Sequence, residues 1–344
     1  MRYGSVCSGI EAATVAWHQL GWEPVFFSEI EKFPSELLAH YYPDVPNHGD
    51  MTKFEEWGYE AGDIDILVGG TPCQSFSIAG LRGGLGDDRG NLALTYMRMV
   101  DRLRPTWTVW ENVPGVLSSN EGRDFGAIVG ALAELGYSSA WRVLDAQNFG
   151  VPQRRRRVFL VGCASGDWRD PASVLFESGC GGRDFEAGRS KRKADPRDAA
   201  ESVARMRGFG DYEIDGTMIT VKARDYKDAT YLVIHAADIA PSITSSGPPY
   251  SRTGNQRVEC EALVVQSAVR RLTPVEAERL QGYPDGYTNF KEKTPDAPRY
   301  KALGNSMAVP VMRWIGERME DATVRGNIIH SNFAIRDLVG NPVE

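Results

Sequence analysis

Ile64-Asp65-Ile66-Leu67-Val68-Gly69-Gly70-Thr71-Pro72-Cys73-Gln74-Ser75-Phe76-Ser77 is a short apolar run that breaks into two glycines, a proline and a cysteine. Its first five residues read as a buried strand behind an acidic turn. Glycine takes backbone angles closed to other residues, and proline fixes the approach to Cys73. In an open α/β sheet, ligands bind outside the carboxyl ends of the strands. A thiol held there is placed to attack a substrate. On this segment alone it is equally a small buried hydrophobe.

Outward from this strand, residues 1–162 alternate strand and helix. Strands are predicted over Tyr3–Cys7, Pro24–Ile30, Ile64–Val68 and Trp107–Trp110, and helices over Ile10–Leu20, Phe33–Tyr41, Leu92–Arg102 and Phe125–Leu135. Ala140–Asp145 and Arg157–Val161 read as paired strands around Asn148-Phe149-Gly150. This order predicts an α/β fold, a mostly parallel sheet wrapped by helices that ends in a hairpin. From about residue 165 the pattern changes to a loop-rich region with short β-type segments at Thr217–Val221, Thr230–His235 and Ala262–Val265. Helical period returns in Glu276–Gln281, and a last helix is predicted over Val309–Met319.

The 344 residues suffice for a full core and a second domain, and the 42% apolar and 25% charged shares are those of a soluble globular protein. No apolar run is long enough to span a membrane, and no export signal is visible, so a cytoplasmic protein is expected. The five cysteines are odd in number and widely spaced, and the five histidines are scattered. That excludes a disulfide framework and predicts no metal site. The net charge of −7 is unevenly spread. Residues 1–150 carry 10 basic and 20 acidic side chains, residues 151–210 carry 13 and 8, and the remainder 16 and 18. A basic middle suits a phosphate-binding surface, or else a solvated linker around Arg189-Ser190-Lys191-Arg192-Lys193.

Two further segments carry chemistry. Ser5-Val6-Cys7-Ser8-Gly9-Ile10-Glu11 reads as strand, glycine turn and helix start. It lacks G-x-G-x-x-G, so a dinucleotide pyrophosphate fits poorly and a nucleoside cofactor such as S-adenosylmethionine fits better. Glu29, at the end of the second strand, is an acceptor for ribose hydroxyls or a plain surface acid, and Asp50 is placed for an adenine amino group. Glu111, at the end of the fourth strand, shares a sheet edge with Cys73, so a carboxyl there can protonate a ring nitrogen as a thiol adds. On a strand Gln153, Arg155 and Arg157 share one face, which suits a base carbonyl or a phosphate. A four-arginine run is otherwise a solvated patch.

In this order these pieces resemble the DNA (cytosine-5)-methyltransferases. The resemblance rests on Ser8-Gly9, Gly70-x-Pro72-Cys73-Gln74, Glu111-Asn112-Val113, Gln153-x-Arg155-x-Arg157, Arg271–Pro284 and Leu303-Gly304-Asn305-Ser306. It implies a Rossmann-like methyltransferase sheet with helices on both faces over residues 1–165. It further implies a smaller target-recognition domain over 166–299, a returning helix at 300–320 and a tail at 321–344. It implies Cys73, Glu111, Arg155 and Arg157 as catalytic residues. Ser8, Gly9, Ile10, Glu29, Ile30, Asp50, Met51, Pro72, Asn305 and Ser306 would bind S-adenosylmethionine. The substrate would be a cytosine flipped from double-stranded DNA, because carbon 5 is unreachable within the stack. The glycine-rich loop Ala79–Asn91 would close over it, and Arg224, Lys227, Asn255, Gln256 and Arg257 are donors for base contacts. A monomer is expected, and neither a cognate restriction endonuclease nor a recognition sequence is legible. The chain departs from the family pattern at Cys7, usually aromatic, near Glu11, often glycine, and at Ile30, often Trp. An RNA cytosine methyltransferase of the same superfamily and an inactive DNA-binding relic are the alternatives.

Overall fold

The computed structural model describes side chains for residues 1–72, 92–177 and 272–324, with the backbone of five strands between 203 and 270 and of the last helix to 326. Cys73, the loop Ala79–Asn91, the donors Arg224, Lys227, Asn255, Gln256 and Arg257, and the strand predicted over Ala262–Val265 lie outside the described residues. The chain begins with β1 (Arg2–Val6), α1 (Ala12–Trp17), β2 (Glu23–Ser28), α2 (Lys32–Tyr41), β3 (Ile66–Gly69) and α3 (Leu92–Leu103). It continues through β4 (Trp107–Asn112), α4 (Arg123–Glu134), β5 (Ser138–Asp145), β6 (Gln153–Arg154), β7 (Arg156–Cys163) and α5 (Arg169–Leu175). The strand order is β2-β1-β3-β4-β7-β5, with β1 to β4 parallel and β7 antiparallel to both of its neighbours. The chain runs from β1 out to β2 and then back across to β3. A switch point therefore opens between β1 and β3, where ligands enter sheets of this kind.

Two-sided burial explains the near-continuous apolar strands. Ile66, Val68, Trp107, Val109, Phe159 and Val161 face one core with Trp17 of α1. Their neighbours Leu67, Trp110, Val158 and Leu160 face the other, with Val100 of α3 and Ile128 of α4. The predicted helix at Ile10 starts at Ala12 instead, because Cys7, Gly9 and Glu11 take left-handed angles. Its last turn, His18–Leu20, tightens to a 3-10 helix and stops at Gly21, φ 68°.

Beyond α5 come β8 (Val203–Gly208), β9 (Asp211–Ile214), β10 (Met218–Ile219), β11 (Tyr231–Ala236) and β12 (Ser267–Arg270). Four of them form an antiparallel sheet in the order β12-β11-β8-β9, while β10 pairs in parallel with β6. Then α6 (Pro274–Gln281), α7 (Asp296–Asn305) and α8 (Val309–Gly326) return to the first core, which takes in Leu272, Leu280, Tyr283, Leu303, Met312 and Ile315. Leu272, Leu280, Tyr283 and Tyr287, expected within the target-recognition domain over 166–299, pack in the core of the main sheet. A helical stripe does not state which core it faces. Helix α8 outruns the predicted Val309–Met319, and the expected tail is helical to Gly326. Its apolar spacing continues through Ile315, Met319 and Ala322.

Helix α8 lies close on α1. A Cβ on Gly316 would stand 2.5 Å from the Trp17 indole, whose Nε1 donates to the Met312 carbonyl at 2.8 Å. Beneath α6 and α7 sits a buried ion pair, Glu278 with Arg299 at 3.2 Å. Glu278 also accepts from the N–H groups of Gly286 at 2.6 Å and Thr288 at 2.8 Å, and Arg299 Nε donates to Thr288 Oγ1 at 2.9 Å. No described helix is long and apolar enough to cross a membrane.

Candidate active site

A cleft with about 390 Å³ of atom-free space opens at the β1–β3 switch point. Ser8, Gly9, Glu11, Glu111, Asn305 and Ser306 are among its lining residues. On the β1 side, the left-handed Gly9 turns its N–H onto Glu29 Oε2 at 2.8 Å. Glu29 also accepts from the Glu31 N–H at 2.7 Å, and burial pushes its carboxyl upward. Asp50 is exposed and caps the following 3-10 turn, and the Thr52 N–H and hydroxyl hold its carboxyl below the ordinary range. Met51 is buried with its sulfur 3.6 Å from Cys7 Sγ, and burial followed by the Glu29 charge pushes the Cys7 thiol up to about 12. That burial disfavours the Cys7 thiolate. Ile30 is exposed. The Ile10 side chain is buried in the core and only its main chain faces partners, the carbonyl accepting from Tyr287 OH at 3.0 Å.

On the β3–β4 side the carboxylate of Glu111 is buried, and Arg157 Nε lies 3.0 Å from its Oε1. Desolvation raises the Glu111 pKa, while the Arg157 and Arg155 charges draw it back. Gly70 makes room for it, since a Cβ there would stand 3.0 Å from Glu111 Oε2 and 3.1 Å from Met307 Cε. The single strand expected through residues 153–157 is interrupted at Arg155, between β6 and β7, and Arg154 is half-buried like Arg157. Gln153 and Arg155 are buried and Arg157 half-buried, while Arg156 is exposed. Arg155 is directed to the main chain, its Nη2 donating to the carbonyls of Gly304 at 3.1 Å and Ser306 at 2.6 Å. It thereby fixes the segment carrying Asn305 and Ser306.

Sequence reasoning missed three contributors. Trp110 Nε1 donates to Thr71 Oγ1 and Asn112 Nδ2 to the Thr71 carbonyl, each at 2.9 Å. Together they pin the residue two before Cys73. Tyr283 OH lies 2.5 Å from Ser306 Oγ, and its ring stacks on Tyr287, which stacks in turn on Tyr41 of α2. The indole and phenol rings are buried, and their polar tips carry these contacts. Thr71→Val keeps the shape and removes the acceptor of a buried donor. It is expected to cost about 1–3 kcal/mol in denaturant unfolding. The added change Trp110→Phe should recover part of that loss, and a fully additive double variant would refute the contact.

Among the described residues, no group of three or more His, Cys, Asp or Glu could hold a metal ion. Comparison with known proteins is consistent with this geometry. The DNA N-6-adenine-methyltransferase of Escherichia phage P1 is 39% identical over 94% of this chain, and the aligned part spans 61% of that relative's length. Type II methyltransferase M1.ScrFI of Lactococcus lactis subsp. cremoris is 32% identical over 91% of the chain and 76% of its own length. Type II methyltransferase M.HpaII of Haemophilus parainfluenzae is 30% identical over 91% and 87%. Among solved structures, the S. pombe Dnmt2 methyltransferase superposes with a TM-score of 0.63 over 93% of this chain and 99% of that one, at 18% identity, which speaks for the fold alone. Residues 1–321 match the model of the C-5 cytosine-specific DNA methylases. With nearly the whole chain matched, the protein belongs to that family, the DNA cytosine-5 methyltransferases whose methyl donor is S-adenosylmethionine.

Proposed function

We propose that this chain methylates carbon 5 of a cytosine flipped out of double-stranded DNA, through a covalent adduct on Cys73. The observation that carries the reading is the buried Glu111, paired with Arg157, lining the same cleft as Ser8, Gly9, Asn305 and Ser306. The donor set fits the methyl donor. Glu29, which accepts from the Gly9 N–H, would take the ribose hydroxyls, and Asn305 and Ser306, which line the cleft, would take the amino acid end. When bound, S-adenosylmethionine supplies an electrophilic methyl group. Cys73 adds to carbon 6, and Glu111 holds the exocyclic amine and N3, stabilising the enamine so that carbon 5 becomes nucleophilic. Arg157 orients Glu111 and reaches the base carbonyl. Once carbon 5 carries the methyl group, a solvent-derived base takes the carbon 5 proton, the 5,6 double bond re-forms, and the Cys73 thiolate leaves carbon 6, freeing the product.

This chemistry separates carbon 5 from an adenine amine. An exocyclic amine is itself a nucleophile and needs no thiol, whereas carbon 5 needs a thiol and an acid together. We assign target recognition to the excursion between α5 and α6, whose described strands are the four-stranded sheet and β10.

Incubation with S-adenosylmethionine and unmethylated genomic DNA, followed by nucleoside analysis and base-resolution sequencing, tests the reading. The expected product is 5-methylcytosine confined to one short motif. N6-methyladenine alone, or methylation of transfer RNA alone, would refute it. A 5-fluorocytosine duplex should trap an adduct that Cys73→Ala abolishes.

A further inference from the structure

Glu11 has no role in the scheme above, yet it is almost fully buried, lines the cleft and holds a left-handed φ of 59°. Glycine would take that angle without strain and without a charge. The Glu11 carboxylate accepts from the Thr14 N–H at 3.1 Å, from the Thr14 hydroxyl and from the Ser5 hydroxyl. Tyr3 OH donates to Thr14 Oγ1 at 2.7 Å, which leaves the Thr14 proton for Glu11. Every one of these donors is neutral. Of the other buried carboxylates, Glu111 has Arg157 and Glu278 has Arg299, while Asp124, which has the neutral donors Ser119 and Asn120, is not among the residues lining the cleft. Among the described residues no Lys or Arg forms an ion pair with Glu11, and burial raises its pKa. A buried carboxylate without a cation is costly, and a cation arriving with a ligand offsets that cost.

Along the sheet edge, Glu29 ends β2, the Cys7–Glu11 turn ends β1, and Gly70 and Glu111 stand at β3 and β4. The nucleoside belongs toward Glu29, and the methyl group must be delivered toward Glu111. The remaining branch at sulfur, the amino acid chain, then falls between the β1 turn and Asn305–Ser306. We propose that the Glu11 carboxylate pairs with the α-ammonium group of the methyl donor. This rests on the S-adenosylmethionine reading of the cleft and makes Glu11 a determinant of cofactor selection.

The test is calorimetric titration of the full chain with three ligands. S-adenosylmethionine and S-adenosylhomocysteine both carry the ammonium, while 5′-methylthioadenosine lacks the amino acid chain. Glu11→Gln keeps the shape, and Glu11→Gly suits the left-handed angle. Both variants should bind the first two ligands at least about tenfold more weakly, the size of a lost charge-assisted hydrogen bond. Both should bind methylthioadenosine as the wild type does, which also reports an intact cleft. Equal weakening of all three ligands would make Glu11 merely structural and overturn the proposal. So would no weakening, or weakening for S-adenosylmethionine alone. A wild type that binds none of the three would instead refute the cofactor reading itself.

Discussion

Glu111→Gln is expected to slow methyl transfer by about 10²–10⁴-fold, the usual share of a positioned acid, while DNA and cofactor affinities change little. Glutamine preserves the shape beside Gly70 but cannot protonate the base. The pH dependence follows from the same burial. Desolvation raises the Glu111 pKa, with Arg157 and Arg155 opposing it. The acid therefore keeps its proton above the ordinary carboxylate range, and the rate falls as pH rises through the raised value. Arg157→Ala removes the stronger opposing charge, so the descending limb should move to higher pH, at a lower maximal rate. Single-turnover rates from pH 5 to 9 would show both effects. A Glu111→Gln enzyme close to wild type in rate would remove Glu111 from the mechanism.

The largest stability effect should come from the buried pair under α6 and α7. Glu278→Ala leaves Arg299 charged, buried and short of its main acceptor, and a loss of about 3–5 kcal/mol is expected in denaturant unfolding. Glu278 also accepts the N–H groups of Gly286 and Thr288, which hold the loop that presents Tyr283 and Tyr287. Cofactor binding should therefore weaken along with stability. Glu278→Gln keeps an acceptor for those groups and should lose less. Equal losses in the two variants would show that packing, not charge, holds the segment.

Much of the sheet was legible because period two is a local signal. Val68 and Leu67, or Val161 and Leu160, announce opposite faces by adjacency alone. The shared inward face of Gln153 and Arg155 was legible for the same reason. The unread contacts are those whose partners come from far along the chain. Arg155 meets Gly304 and Ser306, positions 149 and 151 away, and Trp110 meets Thr71 at a separation of 39. No spacing rule links such residues. No burial was expected for Glu11 because only tertiary packing, not local spacing, buries it. Strands β8, β9 and β12 were missed because their stretches lack clear alternation and β propensity depends on context.

The cleft draws one wall from the first turn of the chain and another from Asn305 to Met307. Helix α8 locks the two together through Trp17 and Met312, which are 295 positions apart. Synthesis from the N-terminus makes all six strands of the sheet well before that second wall. During synthesis the protein thus has strands and a forming core but half a cofactor cleft, and an interrupted translation product inherits the same defect. Asn305 to Met307 come late in the described chain, so a copy truncated before Asn305 is expected to lack that wall and to bind the methyl donor poorly.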